Sequence, residues 1–299
     1  MRLREFRQVE IELFFNPKKS DEVPNFGKIS SVAVPILTRE AQEKEGKIKS
    51  FTAKQAAEKQ IVPSYWTAYF MAKEYLWYRE LGLPADAIRF RHMQQHETPH
   101  YSKGNFDMEI KFDFGWKEVV GNAYRSDFDL TAHGKKSGEN FAVVVDGEKI
   151  IPHVVEPSFG IDRTIYAILL YAWRDGKERG WEWLKLPAKI APISFGVFPL
   201  MNKDKIPKKA REIYESIKKF YEVIYDESGS IGKRYARADE SGVPFCITVD
   251  YDSLKKETVT IRDRDSTKQI VVKIKDLSDV LWKLLDGEIK FEKAGKLVK

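Results

Sequence analysis

An α/β protein of two domains is what this sequence of 299 residues predicts, and three observations carry that prediction. Short β-like runs broken by longer helical patterns fill residues 1–186, as in an α+β domain. Strand and helix patterns alternate from Pro187, which reads as a smaller α/β domain with a mixed sheet over residues 187–299. A Trp-rich linker separates the two, and a chain of this length can bury two cores without disulfides or metals.

The opening RLREFRQVEIELFF reads as a strand whose apolar positions are Leu3, Phe6, Val9, Ile11 and Leu13, with period two clear in its second half. A polar loop with two prolines covers residues 16–25, and a short strand follows at 32–36. Helical patterns run over 51–61 and 64–81, the second started by Pro63 and Ser64 and stopped by Gly82. Strands are expected at 88–92, 107–114, 117–121 and 141–145. Asp146 and Gly147 then make a hairpin turn into 149–155. In the second domain a strand at 190–199 leads to a helix over 205–225, in which Ile206, Ala210, Ile213, Ile217, Phe220 and Ile224 form one apolar face. A helix at 232–241, strands at 243–250, 258–264 and 269–274, and a helix at 276–285 complete it.

Composition narrows the function classes. Cys246, the single cysteine, lies in the apolar run VPFCITV, which excludes a disulfide framework and fits a reducing, cytoplasmic setting. The longest apolar run, near 164–173, is far short of the ~20 residues a membrane span needs. Residues 187–299 carry 23 Lys and Arg against 18 Asp and Glu, nearly all of the net +6. A polyanion partner, or a solvated lysine-rich surface, gives that balance.

His96-Glu97-Thr98-Pro99-His100 has the HExxH spacing of zinc proteases, but Pro99 lies between the histidines. The motif needs a continuous helix, and an interior proline costs roughly 3 kcal/mol there. No zinc site is therefore expected. Neither a P-loop nor a GxGxxG phrase occurs.

The phrase EPSFGIDR, Glu156 to Arg163, runs straight into the apolar TIYAILLYAW. It offers carboxylate and hydroxyl to a small cation, and a guanidinium at a helix entrance to phosphate or a flat ring. This phrase resembles motif 3 of class II aminoacyl-tRNA synthetases, in the glycyl form of archaeal and eukaryotic type. RLREFRQVEIE resembles the second half of motif 2, GWKEVVGNAYRSDFDL the following conserved strand and turn, and YARADESGVPF with TVTIRDRDSTKQI the anticodon-binding domain. The resemblance covers nearly the whole chain.

It implies an antiparallel catalytic sheet flanked by helices, and attachment of glycine to tRNAGly through glycyl-adenylate, with ATP and Mg2+. By residue, it implies ATP contacts for Arg2, Leu3, Phe6 (stacking on adenine), Glu118, Val119 and Arg163. Glu118 also meets the magnesium, and Glu118 and Arg163 carry the catalytic charge. Glycine contacts fall to Glu10, Glu156, Pro157 and Ser158, with His100 and Tyr101 at the site edge. Arg234, Arg237, Arg262 and Arg264 become candidate RNA contacts, with an ion-pair ladder to Asp263 and Asp265 as the other reading of the last two. Arg125 and Asp127 read as a structural ion pair.

The match departs from the family at its beginning. Motif 1, which builds the family's homodimer, and the FRxE phrase, whose arginine grips the α-phosphate, are missing, and Leu13 replaces a histidine. The expectation is either a separate N-terminal chain or a fragment, with adenylate formation impaired in this chain alone. A non-catalytic, synthetase-like nucleic-acid-binding subunit of the polymerase-accessory type, another class IIa synthetase, or a tRNA-binding fragment are the other readings. The intact set Glu10, Glu118, Glu156, Ser158 and Arg163 favours the enzyme.

Overall fold

The computed structural model describes residues 6–44 and 46–298. By contacts the chain forms two compact units, one up to Ala167 and one from Ile168.

The first unit is built on one large sheet. Its elements are β1 (Gln8–Glu10), β2 (Leu13–Phe15), β3 (Ala33–Leu37), α1 (Arg39–Glu43), β4 (Lys49–Thr52), α2 (Ala53–Glu58), α3 (Tyr65–Glu80), β5 (Ile88–His92), β6 (Gly104–Phe112), β7 (Gly115–Ser126), α4 (Phe128–Ser137), the hairpin β8 (Val143–Val145) and β9 (Glu148–Ile150), β10 (His153–Gly160) and α5 (Ile161–Ala172). The strand order is β1-β10-β7-β6-β5-β3-β4, with β2 also paired to β10. Every pairing in it is antiparallel except β3 with β5. An antiparallel sheet with helices is thus what the resemblance implied.

Period two splits each central strand between faces. Ile88 and Phe90, Phe106, Met108 and Ile110, and Val120 are buried on the face covered by α3, which packs on β3, β7 and β10. Alternate residues are polar and stand on the other face. The Ser64 hydroxyl accepts from Thr67 N at 3.0 Å, so α3 starts where Pro63 and Ser64 predicted.

Two local differences have clear causes. The pattern at 51–61 splits into the end of β4 and α2, because Thr52 caps α2 in a box with Gln55 while its strand pairs with β3. The strand expected at 149–155 divides between the end of β9 and the start of β10. Residues 153–160 form a continuous strand, held on both sides by β1, β2 and β7, and the helix begins at Ile161.

The second unit holds the hairpin β11 (Trp173–Arg174) and β12 (Trp183–Leu184), then β13 (Phe195–Pro199), α6 (Ile206–Ile217), β14 (Val223–Tyr225), α7 (Ile231–Glu240), β15 (Phe245–Val249), α8 (Tyr251–Lys255), β16 (Thr258–Asp263), β17 (Gln269–Lys273), α9 (Leu277–Asp286) and β18 (Lys296–Leu297). The order β14-β13-β15-β16-β17-β18 is parallel over its first three strands and antiparallel over the rest, a mixed sheet. Phe195 and Val197 pack under α6 and α9, while Phe198 and Cys246 pack with Ala238 of α7 on the opposite face. That makes three layers. Burial pushes the Cys246 thiol up to about 12.

The helix expected over 205–225 stops at Ile217. Ile206, Ala210, Ile213 and Ile217 are buried as the periodicity requires, but Phe220 is 76% exposed. Val223–Tyr225 instead joins β13 as the outermost strand. Backbone pairing at the open sheet edge overrides the continued helical period.

Candidate active site on the polar face of the large sheet

Directly opposed residues of antiparallel strands share a face, so the register lays out the site as rows. One row runs Glu10–Ser158–Gly121–Asp107–Arg91 across β1, β10, β7, β6 and β5. A second holds Glu156, Ala123 and Asn105, and a third Glu118, Glu109 and Arg89. All carry their side chains away from α3. The spacing 118, 121, 123 is irregular because β7 bulges between Glu118 and Val120, opposite Met108 and Glu109. An extra residue there lets Glu118 stay on the same face as Gly121.

Gly121 has only the Glu118 carboxylate near its missing Cβ, at 3.6 Å, so the centre of the sheet is a floor without side chains. Acids surround that floor. Gln8 Nε2 donates to Glu10 Oε1 at 2.6 Å, and Ser158 Oγ donates to the same oxygen at 3.3 Å. Arg125, in a second bulge opposite Val154 and Val155, donates to Glu156 and to Asp129, the latter at 2.7 Å. The Tyr101 ring lies under the Arg125 guanidinium, 4.5 Å from its centre, and His100 packs edge-on against Tyr101.

Arg163 stands in the first turn of α5. It donates to the Glu118 carbonyl at 2.9 Å and to the Glu118 carboxylate at 3.2 Å. Thr164, next to it, is tied to Gly160 O at 2.9 Å and to the buried Tyr78 hydroxyl at 2.6 Å, so the helix start is clamped to β10 and α3.

On β5 and β6, Arg91 is shared by Glu97, Asp107 and Glu109, and Arg89 pairs with Glu109. Burial, helped by Glu118, pushes the Asp107 carboxyl up to about 7, against the pull of Arg91. Asn105 Oδ1 and Ser126 Oγ are buried with no partner among the described residues.

The structure brings Glu10, Ser158, Glu156, Glu118 and Arg163 to one face. Phe6, just before β1, is 60% exposed. Arg2 and Leu3 lie outside the described residues. Pro157 is corrected: its side chain is buried on the α3 side, opposite Asn122, and only its carbonyl serves β1, accepting from Ile11 N. Val119 is likewise buried, leaving only its main chain near the site. Asp127 does not pair with Arg125; Asp129, four residues after Arg125, does, and Asp127 accepts from the Thr131 hydroxyl.

Three of the four RNA candidates are also corrected. Arg262 is buried and grips Asp239 with two hydrogen bonds of 2.8 and 2.9 Å. Arg264 is buried on the carbonyls of Gly242 and Leu186 and on Asp265, and Arg234 on those of Pro199 and Gly229. Only Arg237, paired with Asp226, keeps a largely exposed side chain. Residues 95–98 form a turn rather than a helix, and Glu97 is engaged by Arg91.

Sequence reasoning missed Arg89, Arg91, Asp107 and Glu109 as site residues. Their signal was present: RFR and DME place charges at every second position of strands otherwise apolar.

Comparison with known proteins agrees with this arrangement. The sequence pattern of the anticodon binding domain matches residues 190–284. The glycine–tRNA ligase of Pyrococcus furiosus is 34% identical over 366 aligned positions, covering 96% of this chain and 64% of that protein. Those of Aeropyrum pernix and Methanocaldococcus jannaschii are 33% and 34% identical, over 100% and 94% of this chain. The chain is homologous to the glycine–tRNA ligases. It spans about 64% of the length of these relatives, 63% for M. jannaschii. The aligned stretches are longer than the chain's 299 residues, so the relatives also carry inserted residues that it lacks. The domain match begins near the junction expected at Leu186–Pro187. Contacts divide the chain earlier, within α5, because the segment before the match packs with the second unit: Arg179 and Trp181 both reach Asp239.

Proposed function

We propose that the chain is the glycine- and ATP-binding part of a glycine–tRNA ligase, joined to its anticodon-binding domain. It would form glycyl-adenylate and pass the glycyl group to a ribose hydroxyl of tRNAGly. The observation that carries this reading is the row Glu10–Ser158–Gly121, flanked by Glu156 and by the Glu118–Arg163 pair.

The chemistry follows from those groups. Glycine offers an ammonium and no side chain, so carboxylates around a bare floor suit it, and larger amino acids are excluded by shape. Glu10 and Glu156 would hold the ammonium, and Ser158 would orient it. Attack of the glycine carboxylate on the α-phosphate of ATP breaks the bond to pyrophosphate, and the protein's task is positioning and charge. Arg163 would turn from Glu118 to phosphate. The exposed ring of Phe6 would stack on adenine. Among the described residues no group of three acidic, His or Cys side chains is placed to hold a metal by itself. Glu118 would be the protein ligand of magnesium arriving on the phosphate oxygens, where the ion would neutralise charge.

In the sheet order β1 is terminal. Arg7 O and Ile11 N bond to the β10 side, so the main-chain groups of Gln8 and Glu10 face outward, and Val9 and Ile11 are half exposed. The non-catalytic nucleic-acid-binding reading has no use for the acids of the row.

Calorimetric titration separates the two. We expect the chain to bind glycine, and Glu10→Gln and Glu156→Gln each to weaken it at least about tenfold, as loss of a charged hydrogen bond does. RNA binding without glycine or ATP binding would refute the proposal.

A further inference from the structure

We propose that Asn105 of β6 is a further glycine-binding residue, whose amide oxygen accepts one N–H of the substrate ammonium from across the sheet floor opposite Glu156. This assignment rests on the aminoacylation reading and adds a residue to it. Asn105 and Glu156 are both opposed to Ala123 of β7, one from each side. Three strands in register put their Cα atoms roughly 10 Å apart, two strand spacings of ~4.8 Å. The two side chains close much of that gap above the Ala123 methyl group, and the space left suits a small cation that donates to both. Asn105 is 8% exposed, and its Oδ1 has no partner among the described residues. Native folds rarely leave a buried amide oxygen unbonded, so one kept on the substrate-facing side of the sheet is where a donor arrives.

Place on the floor selects the donor. Along β7 the residues facing the site run Glu118, Gly121, Ala123. Glu118 and Arg163, the groups proposed for ATP, stand at one end, and Asn105 stands at the other with Glu156. A donor that reaches Asn105 therefore belongs to the amino acid and not to the nucleotide. The surroundings set its charge. Glu156 faces Asn105, and Asp107 is two residues along the same strand face. The nearby guanidinium groups are already engaged, Arg125 with Glu156 and Asp129, Arg91 with Glu97, Asp107 and Glu109. An ammonium brings the positive charge and three N–H donors. Glu156 takes one, Glu10 takes a second from the neighbouring row, and Asn105 supplies the acceptor for the third. A neutral oxygen does so without another acid beside Asp107, whose carboxyl is already pushed up to about 7 by burial and its acidic neighbours.

Calorimetric titration with glycine, N-methylglycine and ATP tests the assignment. Asn105→Ala is expected to weaken glycine binding about tenfold, as loss of an acceptor for a charged donor does, and to leave ATP affinity unchanged. N-Methylglycine has one N–H fewer, so the preference for glycine over it should shrink by a similar factor in the variant. Asn105→Leu, which keeps the volume, should weaken glycine equally with no loss of melting temperature, because Oδ1 has no bond to a described residue to lose. Unchanged glycine affinity in both variants would overturn the inference. So would a preference over N-methylglycine that survives Asn105→Ala. A melting temperature that falls in Asn105→Leu together with both affinities would give the amide a structural role and overturn it as well. Failure of the underlying reading has a different signature: the unmodified chain would then bind no glycine at all. Loss of Asn105 alone is recognised when the unmodified chain binds glycine, Glu156→Gln weakens it and the Asn105 variants do not.

Discussion

Glu74 on α3 shows how much one residue can hold on the far side of the sheet. It is buried; Asn122 Nδ2 donates to one carboxylate oxygen at 2.9 Å, and the other oxygen has no partner among the described residues. Burial pushes its pKa up to about 8, outweighing the Asn122 hydrogen bond. The unfolded carboxyl titrates near 4.5. Between these values the folded chain holds a proton that the unfolded chain has lost, so stability is full below the lower value and declines as pH rises towards 8. Asp107 adds the same sign between 3.8 and about 7. Glu74→Gln keeps the shape and removes the proton. Its melting temperature is expected to fall less than that of the unmodified chain between about pH 5 and about pH 9, a difference on the order of a few kcal/mol at the upper end. Parallel curves would show that Glu74 is not the titrating group.

At the scale of elements, the junction of β10 and α5 decides where Arg163 points. Gly160 does not need a left-handed backbone; it needs the absence of a Cβ, which would lie 3.2 Å from Arg163 Cδ and 3.3 Å from Val119 O. Gly160→Ala must push either the Arg163 side chain or the β7 bulge. ATP affinity should drop about tenfold while glycine affinity changes little, because Glu10, Ser158 and Glu156 are not displaced. Equal losses for both ligands in a binding titration would count against this division of labour. The helix α3 shows the opposite dependence. Its sequence is apolar on every side, yet Leu76 and Trp77 are exposed, so its buried face is chosen by Met71, Ala72 and Tyr78 meeting the sheet.

At the scale of the whole molecule, each unit is centred on a different kind of polar group. The first unit sets its charges in rows on one sheet face, with Glu10 exposed and Asp107, Glu109 and Glu156 buried. The second buries them: Asp239, with no exposed side-chain surface, takes Arg262, Arg179 and the Trp181 indole, and Arg179 stacks on Trp183 at 3.7 Å. Removing one partner strands a buried charge, so Asp239→Ala is expected to cost about 3–5 kcal/mol, seen as a shifted urea midpoint for the second unit. A shift below about 1 kcal/mol would mean that water reaches Arg262.

Much of this was legible in the sequence. The apolar positions of α6 up to Ile217 record in the chain which face is buried, because period alone assigns faces within one element. EPSFGIDR marked the helix start that carries Arg163. Partners across the sheet were not legible. That Arg125 meets Asp129 and Glu156, that Pro157 turns away, and that Arg262 is spent on Asp239 depend on register, on two bulges and on burial. A single added residue in β7 reverses which side chains face the site, and no local propensity records that choice.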